Sequence, residues 1–263
     1  MTVDSRDAAV LADVRGPVLW LTINREHVRN ALNDNVLETL ADHISRAGTN
    51  PVLRSIVLTG AGSRVFCAGG DLKTGAATFE FNYARPSTAY ADLMRAAHGT
   101  NLPMIARVNG HCMAGGMGLL AMCDLAVSTQ AAVFGLPEVK IGMFPMQVAA
   151  TLRSILPARV FAELCFCGDS ISADEALAFG LLNYVVPATE LDAKLGLMLD
   201  RVNANSPTAI RRGKYALRAT RDMGFEQALA YMETQLGTLS LTEDSREGIL
   251  SFNEKRQPNW TGR

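Results

Sequence analysis

Charge of neither sign is in excess in this sequence: 25 Lys and Arg stand against 26 Asp and Glu, a net charge of −1. That balance leaves no electrostatic footprint for nucleic acid, whose binders concentrate basic residues. Long apolar runs are missing too, and none approaches the length that spans a bilayer, so no membrane partner is expected. The N-terminal MTVDSRDAAV lacks the basic-then-apolar layout of a signal peptide, and the expected compartment is the cytoplasm. Histidine is scarce. His27, His43, His98 and His111 have no metal-ligand spacing to each other or to carboxylates, so no metal site is expected. A phosphate-cradling G-x-x-x-x-G-K-[ST] loop and a G-x-S-x-G nucleophile elbow are both absent. Cys67, Cys112, Cys123, Cys165 and Cys167 form an odd set in mostly apolar surroundings, which reads as reduced, buried thiols.

What is present is a hydrophobic fraction of 48% over 263 residues, enough to bury the core of one large domain, or of one domain with an appendage. Val10 to Ile23 reads as a hairpin around Gly16-Pro17. Asn33 or Asp34 caps a helix that puts Val36, Leu37, Leu40 and Ile44 on one face. Short buried strands are expected at Ser55–Thr59, Val65–Ala68, Pro103–Val108, Leu125–Ser128, Ala132–Phe134 and Tyr184–Val186. Between them lie helices at Ala89–Asn101, Gln147–Leu156, Ala158–Cys165 and Ala173–Phe179, the last opened by a Ser172/Glu175 capping box. Gly75 to Ser87 has no period and reads as a mobile loop. Beyond Glu190 the pattern is almost wholly helical. Strands alternating with helices, then helices alone, predict an α/β body over residues 1–195 and a helical region over 196–263.

The chemistry concentrates in Asn109 to Asp124, where Gly115, Gly116 and Gly118 stand between a strand and a helical run. Glycines there let a backbone approach a ligand, and the first N–H groups of the new helix point outward with its positive dipole end. A tight packing corner explains the same glycines equally well. Gly116-Met-Gly118-Leu-Leu-Ala121 fits G-x-G-x-x-A, but His111 to Gly115 separate it from its strand, which weakens a dinucleotide reading. Phe66-Cys-Ala-Gly-Gly-Asp71 is a second glycine turn, and two such turns can each aim an N–H at one developing oxyanion. Glu138 lies between apolar segments, where burial raises a carboxyl toward the range of a general acid or base; an ion pair with Lys140 is the alternative. Met143, Phe144 and Met146 form an apolar cluster nearby, and Gln147 is either a ligand of water or substrate or a helix-start residue.

Taken together these segments resemble the crotonase superfamily, the enoyl-CoA hydratase/isomerase family. The resemblance runs through Asn24-Arg25 with Asn30-Ala-Leu-Asn33, Val65 to Leu72, Val108-Asn-Gly110, Ala114-Gly-Gly116, Met122-Cys-Asp124 and Phe134-Gly-Leu-Pro-Glu138. It continues through Ala173 to Ala176, Gly180-Leu181, Val185-Val-Pro187 and Glu247 to Lys255. It implies an α/β spiral of ββα units with a helical C-terminal region that assembles trimers or dimers of trimers. It also implies an oxyanion hole from the N–H groups of Gly70 and Gly115 and a catalytic Glu138. Arg29, Ala31, Ala68, Gly70, Asp71, Leu72, Lys73, Gly115 and Gly118 would line the acyl-CoA, which brings its own CoA, so no separate cofactor is expected. One departure stands out. Two-glutamate hydratases carry their other glutamate where this chain has Gly118, although some hydratases of the family, the methylglutaconyl-CoA type among them, also have glycine there. The resemblance therefore implies an enoyl-CoA hydratase-like lyase with one carboxylate. The alternatives are a double-bond isomerase and a non-catalytic acyl-CoA binding protein.

Overall fold

The computed structural model describes residues 8–72, 83–84 and 87–263. The chain opens with the hairpin β1 (Val10–Arg15) and β2 (Val18–Ile23), followed by α1 (Asp34–Thr49), β3 (Ser55–Gly60), β4 (Val65–Cys67) and α2 (Ala89–Gly99). Next come β5 (Met104–Val108), β6 (His111–Met113), α3 (Gly115–Ala121), β7 (Leu125–Thr129) and β8 (Val133–Gly135). After a 3-10 helix at Pro137–Ile141 come α4 (Met146–Leu152), α5 (Ala158–Cys167), β9 (Ser170–Ser172), α6 (Ala173–Ala178) and β10 (Tyr184–Val186). Four helices end the chain: α7 (Leu191–Asn203), α8 (Pro207–Ala219), α9 (Phe225–Leu239) and α10 (Glu243–Glu254).

Two sheets result, of order β1-β2-β3-β5-β7-β10 and β4-β6-β8-β9. Each turn of the chain gives one strand to each: β3 then β4, β5 then β6, β7 then β8. Successive turns therefore stack as a spiral. In the large sheet β2, β3, β5, β7 and β10 run parallel. Both of its faces are covered, as parallel sheets require. All six residues of β3 are buried. Strand alternation sorts the side chains: Leu19, Ile56, Leu58, Met104 and Ala126 enter the main core, whereas Val18, Val57, Ile105 and Val127 meet Leu191, Leu195, Met198 and Leu199 of α7. The boundary expected at residues 195–196 lies within this helix.

Side-chain caps open half of the α-helices. The Asn33 side chain accepts the Val36 N–H, and α1 buries Val36, Leu37, Leu40, Ile44 and Ala47. Ser172 and Glu175 make the reciprocal capping box of α6. Two strands depart from expectation. His111–Met113, expected only to separate the strand from the glycines, is β6, and Ser170–Ser172, which ends on the capping-box serine, is β9. Strands this short carry no usable period, and what holds them is pairing with distant partners. The loop expected at Gly75 to Ser87 falls mostly outside the described residues, and so does Lys73. Among the described residues no helix is long and apolar enough to cross a membrane.

Candidate active site

The small sheet sets the site. β4 pairs parallel with β6, and β6 with β8, so all three strands end on the same side. Gly70, Gly115 and Glu138 each follow within three residues of those ends. In open α/β sheets the carboxyl ends of parallel strands are where ligands bind.

The first corner is laced to Asn24–Asn33. Ala68 N–H donates to the Arg29 carbonyl, Leu32 N–H to Gly69 and Asp71 N–H to Leu32, at 3.1, 2.8 and 2.8 Å. That parallel bridge between Leu32 and Gly70 uses the amides on either side of Gly70, and among the described residues Gly70's own N–H has no partner. Arg25 clamps the segment from below, donating to the Ala31 carbonyl at 2.6 Å and pairing with Asp71 at 2.9 Å. Asn30 is buried, donating to the Ala61 and Val65 carbonyls at 3.0 and 2.8 Å, and Asn109 likewise reaches Gly62 at 2.9 Å. Both asparagines are thus architectural. Arg29 is exposed, as is Leu72, while Ala31 is buried.

The second corner turns on Ala114, whose φ of 50° and ψ of −123° are unusual for a residue with a Cβ. Such backbone strain costs about 1–3 kcal/mol and gathers at functional sites. Its N–H is tied to the Gly135 carbonyl at 2.9 Å, so β8 holds the strained residue in place. Gly115 is then the first residue of α3, and its N–H has no partner within the helix. The two corners touch: a Cβ built on Gly69 would lie 3.2 Å from the Gly115 nitrogen, and one on Gly115 would lie 3.6 Å from the Gly69 Cα. Gly116 presses on β4, where a Cβ would stand 2.6 Å from the Cys67 carbonyl oxygen. Gly116 and Gly118 are therefore helix-packing residues inside α3, which removes the dinucleotide turn they resembled.

Glu138 sits on the 3-10 helix and is half-buried. Its Oε2 is buried and finds no hydrogen-bond partner among the described residues. Burial raises its carboxyl above the ordinary value, and its own backbone N–H offsets this only in part. The expected alternative partner, Lys140, pairs instead with Asp169 at 2.9 Å. Beyond Glu138 the chain exposes Met143, Phe144 and Met146, and Phe144 meets Phe166 with ring centroids 6.2 Å apart. Gln147 lies in the first turn of α4 and donates to Thr88, the N-cap of α2, at 2.6 Å. His111 accepts the Val133 N–H at 3.2 Å, a structural role.

Sequence reasoning missed Tyr90. It is the one phenol in α2, its hydroxyl donates to the Gly115 carbonyl at 2.7 Å, and a Cβ built on Gly118 would overlap that hydroxyl. Only the folded chain brings it beside α3. Burial raises its phenol well above the ordinary value, and the neighbouring Cys67, Cys112 and Glu138 add to the effect.

Comparison with known proteins meets this geometry from the other side. The family model for enoyl-CoA hydratase/isomerase matches residues 13–263. The chain is 36% identical over 255 residues to 2,3-dehydroadipyl-CoA hydratase of Escherichia coli, covering 94% of this chain and 96% of that protein. It is 31% identical over 257 residues to (E)-benzylidenesuccinyl-CoA hydratase of Thauera aromatica, covering 96% and 99%. A crystal structure of enoyl-CoA hydratase from Mycobacterium smegmatis superposes with a TM-score of 0.88 at 31% identity, covering 96% of this chain and 98% of that one. With the spiral of paired strands and the match over nearly its whole length, this chain is an enzyme of the enoyl-CoA hydratase/isomerase family, in the crotonase superfamily.

Proposed function

We propose that the protein adds water across the conjugated double bond of an enoyl-CoA thioester. The observation that carries this reading is a half-buried carboxyl with an unpaired oxygen, Glu138, on the third of three adjacent strand ends whose first two bear Gly70 and Gly115. The thioester oxygen accepts hydrogen bonds from the Gly70 and Gly115 N–H groups. As water attacks the β-carbon, Glu138 takes its proton, and the electron pair of the double bond moves onto the thioester oxygen. The enolate, held by the two amides, then takes that proton from Glu138 at the α-carbon. Water has been added and Glu138 is again a carboxylate. Fixed amides need no reorganisation as the charge forms, and each is worth about 3–4 kcal/mol of barrier.

CoA lies along Ala31, Ala68 and Gly70 to Leu72, with Arg29 exposed nearby for its phosphates. CoA comes with the substrate and no other cofactor takes part. Met143, Phe144 and Met146 favour an apolar acyl group. One observation favours a second reading. Gly118 leaves a single carboxylate, which is all a double-bond isomerase needs to carry one proton between two carbons. Absorbance of the conjugated thioester separates the two: it falls on hydration and rises when an unconjugated substrate is isomerised. A panel of straight, branched and aromatic enoyl-CoAs, with products identified by mass, tests the class and the acyl preference together. Tight CoA binding without turnover across that panel would favour a binding protein.

Self-association belongs to the same proposal. α9 buries none of its residues in the single chain, and Phe225, Leu236, Ile249 and Phe252 are among the exposed apolar side chains of α9 and α10. Apolar surface of this kind is normally covered by a partner. A trimer, or a pair of trimers, covers it with further copies of this chain; light scattering should give three or six times 28.3 kDa.

A further inference from the structure

Hydration asks two things of the groups around the attacking water: one must take its proton, and another must fix where its oxygen points. Orientation is not a small matter, because a misplacement of about 1 Å costs roughly 100-fold in rate. Glu138 supplies the first, and position 118, a glycine buried in α3, supplies no side chain for the second. The space above that glycine is filled, however. Any Cβ on Gly118 would overlap the Tyr90 hydroxyl, and it would lie 3.3 Å from Cγ2 of Val148 in α4. The ring also covers the start of the helix, with its Cε2 at 3.4 Å from a Cβ built on Gly115. A polar oxygen therefore stands where a side chain from position 118 would begin.

The hydrogen-bond arithmetic of that oxygen fixes what it can do. A phenol has one proton, and here it is donated to the Gly115 carbonyl at 2.7 Å. Its lone pairs are left to accept. Burial and the nearby thiols and carboxyl keep the phenol protonated through any ordinary working pH, so it acts neither as a base nor as an acid.

We infer that Tyr90 is the second functional side chain of the site, a neutral acceptor that holds the attacking water against Glu138. This rests on the hydration reading above. The arrangement makes Gly118 and Tyr90 a matched pair: the glycine is required because the phenol oxygen occupies its side-chain space, and the phenol supplies the polar contact that the glycine cannot. Tyr90 touches the reacting water and is in that sense catalytic.

The test compares wild type with Tyr90→Phe in two reactions. One is hydration of a straight four-carbon trans-2-enoyl-CoA; the other is exchange of the α-proton of the saturated four-carbon acyl-CoA into deuterated water. Exchange uses Glu138 and the two amides but no attacking water. The expected result is a fall of about 100-fold in kcat for hydration, the scale of a misplaced reactant, with KM and the exchange rate each within about threefold of wild type. Preserved exchange also certifies that the variant has folded its site. Unchanged hydration overturns the inference. A parallel loss of hydration and exchange overturns it as well, because it makes Tyr90 a brace for the oxyanion turn and nothing more. Failure of the underlying reading looks different: wild-type protein would exchange the α-proton yet hydrate none of the enoyl-CoAs, and no variant would be needed to see it.

Discussion

The two sheets of this molecule are built from the same turns of chain and do different work. In the large sheet the strands are five or six residues long except at β10, and inside the exposed edge strand β1 they run through the core, with the main core on one side and α7 on the other. In the small sheet every strand has three residues. Its strands contribute little length, but their ends deliver Gly70, Gly115 and Glu138 to one side. Long strands fix the spacing of the turns, and short ones spend that rigidity on placing backbone groups. Two local irregularities sit at those ends: Ala114 with its positive φ and the orphaned Oε2 of Glu138 both lie beyond small-sheet strands. A change in the large sheet should therefore cost stability, and a change at the small sheet's ends should cost activity.

The sharpest version of that contrast is Glu138→Gln. It removes the proposed proton carrier and should lower kcat for hydration by about 100- to 10,000-fold, the range of general acid–base catalysis. It should not lower the melting temperature. Because burial raises the carboxyl above its ordinary value, the folded state holds the proton more tightly than the unfolded chain does. The stability that this proton brings is complete at low pH and is lost as pH rises through the folded-state value. At pH 7 the buried ionised group is a cost, so the neutral glutamine should melt at the same temperature or higher, with the difference shrinking toward pH 4. Calorimetry at both pH values measures it, and a variant that melts earlier at pH 7 would break the comparison.

Leu58→Ala is the converse experiment in the large sheet. Leu58 is fully buried in the middle of β3, and its truncation should cost about 2–5 kcal/mol in urea unfolding while kcat per folded molecule stays at the wild-type value. Gly116→Ala tests the joint between α3 and β4. Its Cβ would press on the Cys67 carbonyl and Cβ, so α3 must shift, at a cost of about 1–3 kcal/mol and with a loss of kcat that Leu58→Ala does not share. Smallest of all is Ala114→Gly. Relief of the positive φ outweighs the added freedom of the unfolded chain, and a gain of about 1 kcal/mol is expected, read as a rise in melting temperature.

The same division explains what was legible in the sequence. The large sheet and its helices announce themselves through apolar runs, the Asn33 cap and the Ser172/Glu175 box, because each signal is local and each acts on its own segment. β6 and β9 were not legible, since three residues such as His-Cys-Met have no period and are strands only through partners far along the chain. At the site, the glycine corners and Glu138 could be picked out by residue type, and the resemblance ordered them. Lys140 could not be assigned from spacing: Asp169, which takes it, is a neighbour only after folding. Tyr90 is the clearest such case, an aromatic in an otherwise ordinary helix whose meaning depends on a glycine in another one.

Infrared difference spectroscopy on a bound, carbonyl-labelled saturated acyl-CoA tests most directly the claim that two corners of the small sheet grip one thioester oxygen. Two amides donating to that oxygen polarise the bond, so the thioester stretch should fall to a lower frequency in the protein than in water, and should do so in Glu138→Gln as well. A bound stretch at or above its frequency in water would contradict the account.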